Sequence, residues 1–149
     1  CGMWSFRMGI RLIHGVLYGL LFLDSKGYAM ILIINKYVIC EEYITLEEYK
    51  NFTDSLIHRL AENGIQLLDI FYCPHRRDAG CGCCKPKPGM IEQALEKYPE
   101  MDLTQAILIG DSAGDRILAQ SLGIPFYEIA EEGRHPQKNW RSVCEAVRE

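Results

Sequence analysis

The feature that most constrains this chain is a cluster of soft metal ligands in one short stretch. Cys73, His75, Cys81 and Cys83 fall within eleven residues. Three thiolates and one imidazole complete a tetrahedral Zn²⁺ shell and leave no open position, which is typical of a structural rather than a catalytic zinc. The residues between them are mainly Pro, Gly, Arg, Asp and Ala, which favour a loop. The spacing therefore predicts a zinc loop, and buried free thiols or a disulfide pair are the alternatives.

Length, charge and cysteine usage narrow the class of protein. A chain of 149 residues is expected to form a single domain, 1–149, with one core. The net charge of −4 argues against a general nucleic-acid binder. Residues 1–11 lack the pattern of a signal peptide, and the apolar run 15–23 is too short to span a bilayer. Because its cysteines have the spacing of metal ligands, we expect a protein of the reducing cytoplasm. From its charge and its short apolar run, we expect it to bind neither nucleic acid nor membrane.

Apolar periodicity predicts an alternation of helices and strands. Thr45 followed by Glu48 forms a capping box that opens one helix, and Asn63-Gly64 closes it. Residues 1–11 show no clear period and are left unassigned. The alternation predicts an α/β fold with a mostly parallel sheet. The predicted helices are 14–26, the one that Thr45 opens and Asn63-Gly64 closes, 88–98, 115–122 and 134–149. The predicted strands are 30–35, 67–72, 106–110 and 124–129.

Polar side chains follow three of the predicted strands. In α/β sheets ligands bind beyond the carboxyl ends of the strands, where Asn35, Lys85 and Asp111 would converge. An ammonium neutralises phosphate, an amide donates to an oxyanion, and Asp111 with Asp115 suits Mg²⁺. The sequence thus predicts a site for a phosphorylated small molecule. The alternatives are a turn-forming role for Asn35, an N-cap role for Asp111, and Lys87 in place of Lys85.

Four motifs carry a resemblance to a known family. The motifs are Cys73-Pro74-His75, Cys81-Gly82-Cys83, Lys85-Pro86-Lys87-Pro88-Gly89-Met90 and Ile109-Gly110-Asp111-Ser112. With these motifs the chain resembles the haloacid-dehalogenase (HAD) superfamily, and more narrowly its zinc-loop phosphatases, which act on histidinol phosphate and on D-glycero-D-manno-heptose 1,7-bisphosphate. Pro88-Gly89-Met90 favours the heptose branch. The resemblance covers about residues 12–129.

The resemblance implies a fold and a set of roles. It implies a Rossmann-like three-layer α/β sandwich that carries a zinc-binding loop. It implies that Asn35 and Lys85 hold the phosphoryl group and that Asp111 ligates Mg²⁺, with Asp115 as a possible further ligand. Such enzymes attack phosphorus with an aspartate and then hydrolyse the aspartyl phosphate.

The chain departs from this family at the first motif. The Asp-x-Asp pair that supplies the nucleophile is absent, although Asp24-Ser25-Lys26 imitates it superficially. Asp24 lies only eleven residues before Asn35, too few for a strand, a crossover helix and a second strand. We therefore expect Asp24 on a helix surface. If the first strand is missing, an exposed cleft is expected where it belongs.

Three hypotheses follow. The first is a Mg²⁺-dependent phosphatase that acts on a small sugar phosphate. Its activity would be impaired in this sequence because the nucleophilic aspartate is missing. The sequence therefore leaves open whether the chain is an enzyme. The alternative is a non-catalytic zinc-stabilised binding or scaffold domain, which the replacement of two expected arginines by Glu41 and Cys84 favours. The third is a homo-oligomer in which residues 1–11, with Trp4 and Phe6, supply the lost strand to a partner copy.

Overall fold

The computed structural model describes residues 4–5, 11–12, 15–35, 45–76, 78–130 and 138–148, without the side chains of 4–5, 11–12 and Asn35. Across these ranges no helix is long and apolar enough to cross a bilayer. The helices are α1 (Val16–Ser25), α2 (Leu46–Glu62), α3 (Gly89–Lys97), α4 (Ala113–Leu122) and α5 (Trp140–Arg148). The strands are β1 (Trp4–Ser5), β2 (Arg11–Leu12), β3 (Ile31–Asn35), β4 (Asp69–Cys73), β5 (Leu108–Gly110) and β6 (Phe126–Glu128), and a 3₁₀ turn covers Leu103–Gln105.

The predicted parallel pairing is confirmed, but the strands form pairs rather than one continuous sheet. β3 pairs in parallel with β4, with Ile31 opposite Asp69 and Asn35 opposite Cys73. β5 pairs in parallel with β6. The two short amino-terminal strands pair antiparallel with each other. The predicted use of residues 1–11 by a partner copy falls largely outside the described residues and stays a prediction.

A cleft separates the two parallel pairs. Among the described residues, β3 and β5 share no ladder hydrogen bonds, and each has one neighbouring strand. The cavity between them has a volume of about 740 Å³ and is lined by residues of both strands. The cleft that the sequence predicts in the absence of a first strand is therefore present.

The carboxyl-terminal helix packs on α1 through a close approach at Gly19. A Cβ atom at Gly19 would lie 2.2 Å from Cε3 of Trp140, so only glycine permits this contact. Glycine inside a helix costs about 0.5–1 kcal/mol relative to alanine, which the burial of an indole ring offsets. Trp140 is only 3% exposed. The predicted helix 134–149 is described over Trp140–Arg148, and residues 131–137 lie outside the described ranges.

Capping residues set the starts of α2 and α4. The Thr45–Glu48 capping box is formed in both directions, as the sequence predicts. The predicted start of α4 at Asp115 is wrong by two residues, because Ser112 is the N-cap and the helix begins at Ala113. Ser112 and Asp115 form a second capping box, so Asp115 lies inside the first turn. Gly123, with φ of 68°, ends this helix in the left-handed conformation.

Candidate functional site

The four predicted metal ligands converge at the end of β4. The Sγ atom of Cys73 lies 3.0 Å from Sγ of Cys83 and 3.5 Å from Sγ of Cys81. Nδ1 of His75 lies 3.2 Å from Sγ of Cys83 and 3.5 Å from Sγ of Cys73. All four ligand atoms lie within 4.8 Å of one another. Metal–sulfur bonds of about 2.3 Å place tetrahedral ligands about 3.8 Å apart, so the cluster has the size of a tetrahedral metal site.

Close backbone packing folds this loop back on itself. We call the segment from Cys73 to Lys85 the metal loop. The amide of Gly89 donates to the carbonyl of Gly82 at 3.0 Å, and a Cβ atom at Gly89 would lie 2.6 Å from that oxygen. Nζ of Lys87 donates to the carbonyl of Cys81 at 2.7 Å. The residues after the loop therefore hold its last two ligands against β4.

The thiols of the cluster compete for protons. Burial, with the hydrogen bonds of Cys73 and Cys81, raises the pKa of the Cys83 thiol. Burial acts in the same direction on Cys81, but hydrogen bonds from Cys73 and the backbone outweigh it and lower the pKa of Cys81. The cysteines in the described ranges are free rather than disulfide-bonded, so the disulfide alternative does not hold for this cluster. Closely spaced thiols that cannot all ionise together fit a site where a cation replaces the shared protons.

Lys85 extends from the metal loop into the carboxyl end of the cleft. Its Nζ atom donates to Oδ1 of Asp115 at 2.6 Å and to the carbonyl of Ile33, in β3, at 3.4 Å. The lysine side chain is 12% exposed and that of Asp115 is 5% exposed. Lys87 is exposed and contacts the metal loop instead. The geometry therefore favours Lys85 over Lys87 as the lysine of the site.

Asp115 anchors this lysine, and its second oxygen is also engaged. Oδ2 accepts hydrogen bonds from the hydroxyl of Ser112 at 2.7 Å, the amide of Ser112 at 3.2 Å and the amide of Asp111 at 3.3 Å. Burial alone would raise the pKa of the Asp115 carboxyl. The positive charge of Lys85 and the hydrogen bonds from Lys85 and Ser112 outweigh burial and hold this pKa below its usual range. A Cβ atom at Gly110 would lie 2.5 Å from Oδ2, so glycine makes room for the carboxylate. This geometry favours a positioning role for Asp115 over direct ligation of Mg²⁺.

Asp111 and Asn35 occupy the ends of the two strands that border the cleft. Asp111 directly follows β5, is exposed, and lines the cleft together with Lys85 and Asp115. The backbone of Asn35 ends β3 opposite Cys73. The side chain of Asn35 lies outside the described atoms, so its predicted contact with phosphate stays a prediction.

Asp24 lies on the surface, as the sequence predicts. It belongs to the last turn of α1 and is exposed. In the part of the chain that the structure describes, the aspartates that line the cleft are Asp102, Asp111 and Asp115. Asp102 caps the 3₁₀ turn by accepting from the amide and hydroxyl of Thr104. Neither Asp24 nor Asp102 is positioned as the missing nucleophile.

Sequence reasoning missed two groups of the site. The hydroxyl of Ser112 orients Asp115, and its signal was the Ser-x-x-Asp spacing of a capping box. The carbonyl of Ile33 accepts a hydrogen bond from Lys85, which lies 52 residues later in the sequence, and no local sequence pattern predicts such a contact.

Comparisons with known proteins decide the family. The family profile described as HAD-hydrolase-like matches residues 82–140. The D-glycero-alpha-D-manno-heptose-1,7-bisphosphate 7-phosphatase of Photorhabdus laumondii is 38% identical over 125 residues, which cover 79% of this chain and 67% of that protein. This chain belongs to the heptose-bisphosphate phosphatase family of HAD-like hydrolases. The D-glycero-beta-D-manno-heptose-1,7-bisphosphate 7-phosphatase of Vibrio cholerae is 30% identical over 131 residues, 83% of this chain and 70% of its own length.

The chain covers only part of the length of its relatives. A probable D-glycero-D-manno-heptose-1,7-bisphosphate 7-phosphatase of Thermoplasma acidophilum is 38% identical over 104 residues, which cover 69% of this chain but only 64% of that relative. The chain thus spans about two thirds of the curated relatives that it matches.

A solved structure supports the fold. The D,D-heptose 1,7-bisphosphate phosphatase of B. bronchiseptica, crystallised with magnesium and phosphate, superposes with a TM-score of 0.79 at 24% identity. The match covers 93% of this chain and 84% of that chain. The α/β Rossmann-like fold expected from the sequence is confirmed.

Proposed function

We propose that this chain is a phosphatase-type HAD domain for Mg²⁺-dependent hydrolysis of D-glycero-D-manno-heptose 1,7-bisphosphate or a closely similar small sugar phosphate, with its activity impaired as the sequence stands because the nucleophilic aspartate is missing. The observation that carries the proposal is the placement of Lys85, which Asp115 holds at the cleft that Asp111 also lines. The relatives named above are phosphatases of this sugar bisphosphate, which supports the substrate class.

Lys85 and Asn35 would hold the transferred phosphoryl group. The Lys85 ammonium is mostly buried, and its partner Asp115 fixes it in one position. A fixed cation in a water-poor site stabilises phosphate charge better than a mobile surface lysine, because little reorganisation accompanies binding. Asn35 ends the neighbouring strand, from which its amide would donate to a phosphate oxygen.

Asp111 would hold the Mg²⁺ ion. A carboxylate oxygen is the ligand type that Mg²⁺ prefers, and Asp111 is exposed and lines the cleft. Asp115, whose two oxygens are held by Lys85 and Ser112, would position Lys85 rather than ligate the ion. When bound, the ion would neutralise charge on the phosphoryl oxygens and orient them for displacement.

The metal loop would carry a structural Zn²⁺. The four-ligand shell leaves no open position for substrate, and its last ligand, Cys83, lies two residues before Lys85. The ion would therefore fix the point from which Lys85 extends into the cleft. Because the shell needs reduced thiols, we place the protein in a reducing cytoplasm.

A second function rests on a specific observation. Of the three aspartates described in the cleft, Asp115 is held by Lys85 and Ser112, Asp102 caps a turn, and Asp111 is the residue assigned above to Mg²⁺. A zinc-stabilised binding or scaffold domain that holds a phosphorylated ligand without cleaving it would have this arrangement. The resemblance to the HAD family, by contrast, implies a nucleophilic aspartate on a first strand, which these residues do not supply.

The test is phosphate release by the purified, zinc-loaded chain with and without Mg²⁺. The panel is D-glycero-D-manno-heptose 1,7-bisphosphate, its 1-phosphate and histidinol phosphate. The proposal expects Mg²⁺-dependent release from the bisphosphate that Asp111→Asn abolishes and Asp24→Asn leaves unchanged. Asp24→Asn is the matched control, because it makes the same carboxylate-to-amide change on the exposed end of α1. Inactivity across the panel, with zinc retained, would instead support the non-catalytic domain.

A further inference from the structure

The exposed apolar side chains of this protein are concentrated at one groove. Over the described residues, seven large apolar side chains are between 42% and 53% exposed, and four of them line a groove of about 420 Å³ between α2 and β4. These four are Leu46, Ile57, Leu68 and Tyr72. Single exposed apolar residues are ordinary, but a contiguous apolar patch marks a surface that binds a partner.

The groove is open because α2 covers its face of the sheet only in part. Successive side chains of a strand point to opposite faces, so Ile70 and Tyr72 of β4 share one face, and Leu68 precedes the strand at the same groove. Ile70 packs against the main core, and the ring centroid of Tyr72 lies 6.3 Å from that of Tyr49 in α2. Leu68 and Tyr72 nevertheless remain 43% and 46% exposed. A second helix lying beside α2, at the usual interaxial distance of about 8–10 Å, would cover both side chains.

The α2 side of the groove carries one positive and one negative charge. Leu46, Lys50, Asp54 and Ile57 follow one another at spacings of four, four and three residues, which places them on one face of the helix. Lys50 and Asp54 are exposed, and no ion pair among the described residues includes either of them. A lysine that precedes its acid by four residues is also the less favourable order for pairing within a helix. A helix that presents the two charges in the reverse order would therefore complement this face.

A second copy of α2, running antiparallel, presents the charges in that order. A two-fold axis midway between Lys50 and Asp54 brings Lys50 of each copy level with Asp54 of the other. The same axis brings Leu46 level with position 58 of the second copy, one residue from Ile57, which is an axial offset of about 1.5 Å. One symmetry operation therefore matches both the apolar ends and the charged centre. A parallel arrangement would place like charges opposite each other, which is unfavourable.

We propose that the groove between α2 and β4 is the interface of a two-fold homodimer. In this dimer α2 packs antiparallel beside α2 of the second copy and covers Leu68 and Tyr72. Lys50 and Asp54 form two reciprocal ion pairs across the axis. The interface involves neither residues 1–11 nor Lys85, Asp111 and Asp115, so it does not depend on whether the chain is a phosphatase.

The size of the groove sets the expected strength of association. A helix of 17 residues is about 25 Å long. A strip of that length and about 20 Å wide, one helix diameter plus one packing distance, buries about 500 Å² of each copy, or about 1,000 Å² in total. This area is at the lower limit for a specific interface, so we expect a reversible dimer with a micromolar dissociation constant.

Analytical ultracentrifugation of the zinc-loaded chain from about 5 to about 500 μM measures this association, since the range brackets the expected dissociation constant. We expect an equilibrium between monomer and dimer. Lys50→Glu and Asp54→Lys should each weaken it at least about tenfold, because each change puts like charges opposite each other at both contacts. An equimolar mixture of the two variants should restore dimers, because every contact between the two different chains again joins opposite charges.

The matched control is Glu96→Lys, which reverses an exposed acidic charge on α3 outside the groove. It should leave the association unchanged, whereas Ile57→Asp should abolish it by placing a carboxylate at the apolar end of the contact. A chain that stays monomeric over the whole concentration range would overturn the proposal. Association that neither charge variant weakens, or a mixture that associates no more tightly than its two components, would overturn it as well.

Discussion

The metal loop and the polar end of the cleft share Lys85, the last residue of the loop, yet they are built in opposite ways. The metal loop takes all four ligands from eleven consecutive residues and closes on itself. The cleft end takes Lys85 from that loop, Asp111 from the end of β5, Asp115 from α4 and the Ile33 carbonyl from β3. The first is a local structure, whereas the second depends on the placement of the metal loop relative to β3, β5 and α4. Disrupting the loop should therefore also disturb the cleft, while disrupting the cleft should leave the metal bound.

The largest expected effect is the loss of a metal ligand. Cys73→Ser should lose tight zinc binding, and its free energy of unfolding should fall by about 4 kcal/mol, the linkage expected for zinc present at about 1,000 times its dissociation constant. Urea unfolding and elemental analysis measure the two effects. Cys84→Ser is the matched control, because Cys84 neighbours the cluster but is not one of its four ligands. Equal zinc content in the two variants would contradict the ligand assignment.

Breaking the buried ion pair should have the next largest effect. Lys85→Met leaves Asp115 buried beside a neutral side chain, and an uncompensated buried charge costs about 3–5 kcal/mol. We expect about 3 kcal/mol by urea unfolding, since Lys85 keeps some exposure. Lys87→Met, a change on an exposed side chain, should cost less than about 1 kcal/mol. Zinc content should stay unchanged in both variants, and its loss in Lys85→Met would show that the cleft supports the loop.

The two capping boxes give a smaller and more discriminating comparison. Thr45→Ala should cost about 1 kcal/mol, the usual value of an N-cap. Ser112→Ala should cost about 2 kcal/mol, because its hydroxyl also donates to the buried Asp115 carboxylate at 2.7 Å. Thermal and urea unfolding of the two variants measure the difference. Equal costs would mean that Ser112 acts as a helix cap alone.

The smallest expected effect is the pH dependence contributed by Asp115. Its pKa in the folded protein is held below the ordinary value, so its stabilising contribution is complete above about pH 4 and is lost as the pH falls through the folded pKa. Asp115→Asn should therefore lose less stability than the unaltered protein on acidification below about pH 4. Both proteins carry the same four metal ligands, so the difference between their unfolding curves isolates Asp115. Parallel curves would contradict the ion pair.

The same contrast explains what the sequence could predict. The ligand set Cys73, His75, Cys81 and Cys83 was predictable because metal spacing and loop composition are local signals. The Thr45 capping box was predictable for the same reason. The role of Asp115 was not, because its competing partners, Lys85 and Ser112, are recognisable only once α4 and the metal loop are folded together.

The packing contacts between elements that are distant in the sequence could not be predicted. The contact of Gly19 with Trp140 joins the first helix to the last, and nothing in either segment specifies the other. The division of the sheet was predictable in outline, since the first motif is absent and a cleft follows from that absence. The apolar residues that line the cleft, among them Leu20, Leu23 and Trp140, were identified only by the structure.

The central claim is that Lys85 and Asp111 form a Mg²⁺-dependent phosphate site at the end of the cleft. Calorimetric titration of inorganic phosphate into the zinc-loaded chain, with and without Mg²⁺, tests it most directly. The account predicts binding that strengthens at least tenfold when Mg²⁺ is added and that loses this dependence in Asp111→Asn. Phosphate affinity that is the same with and without Mg²⁺, or the same in Asp111→Asn as in the unaltered chain, would contradict it.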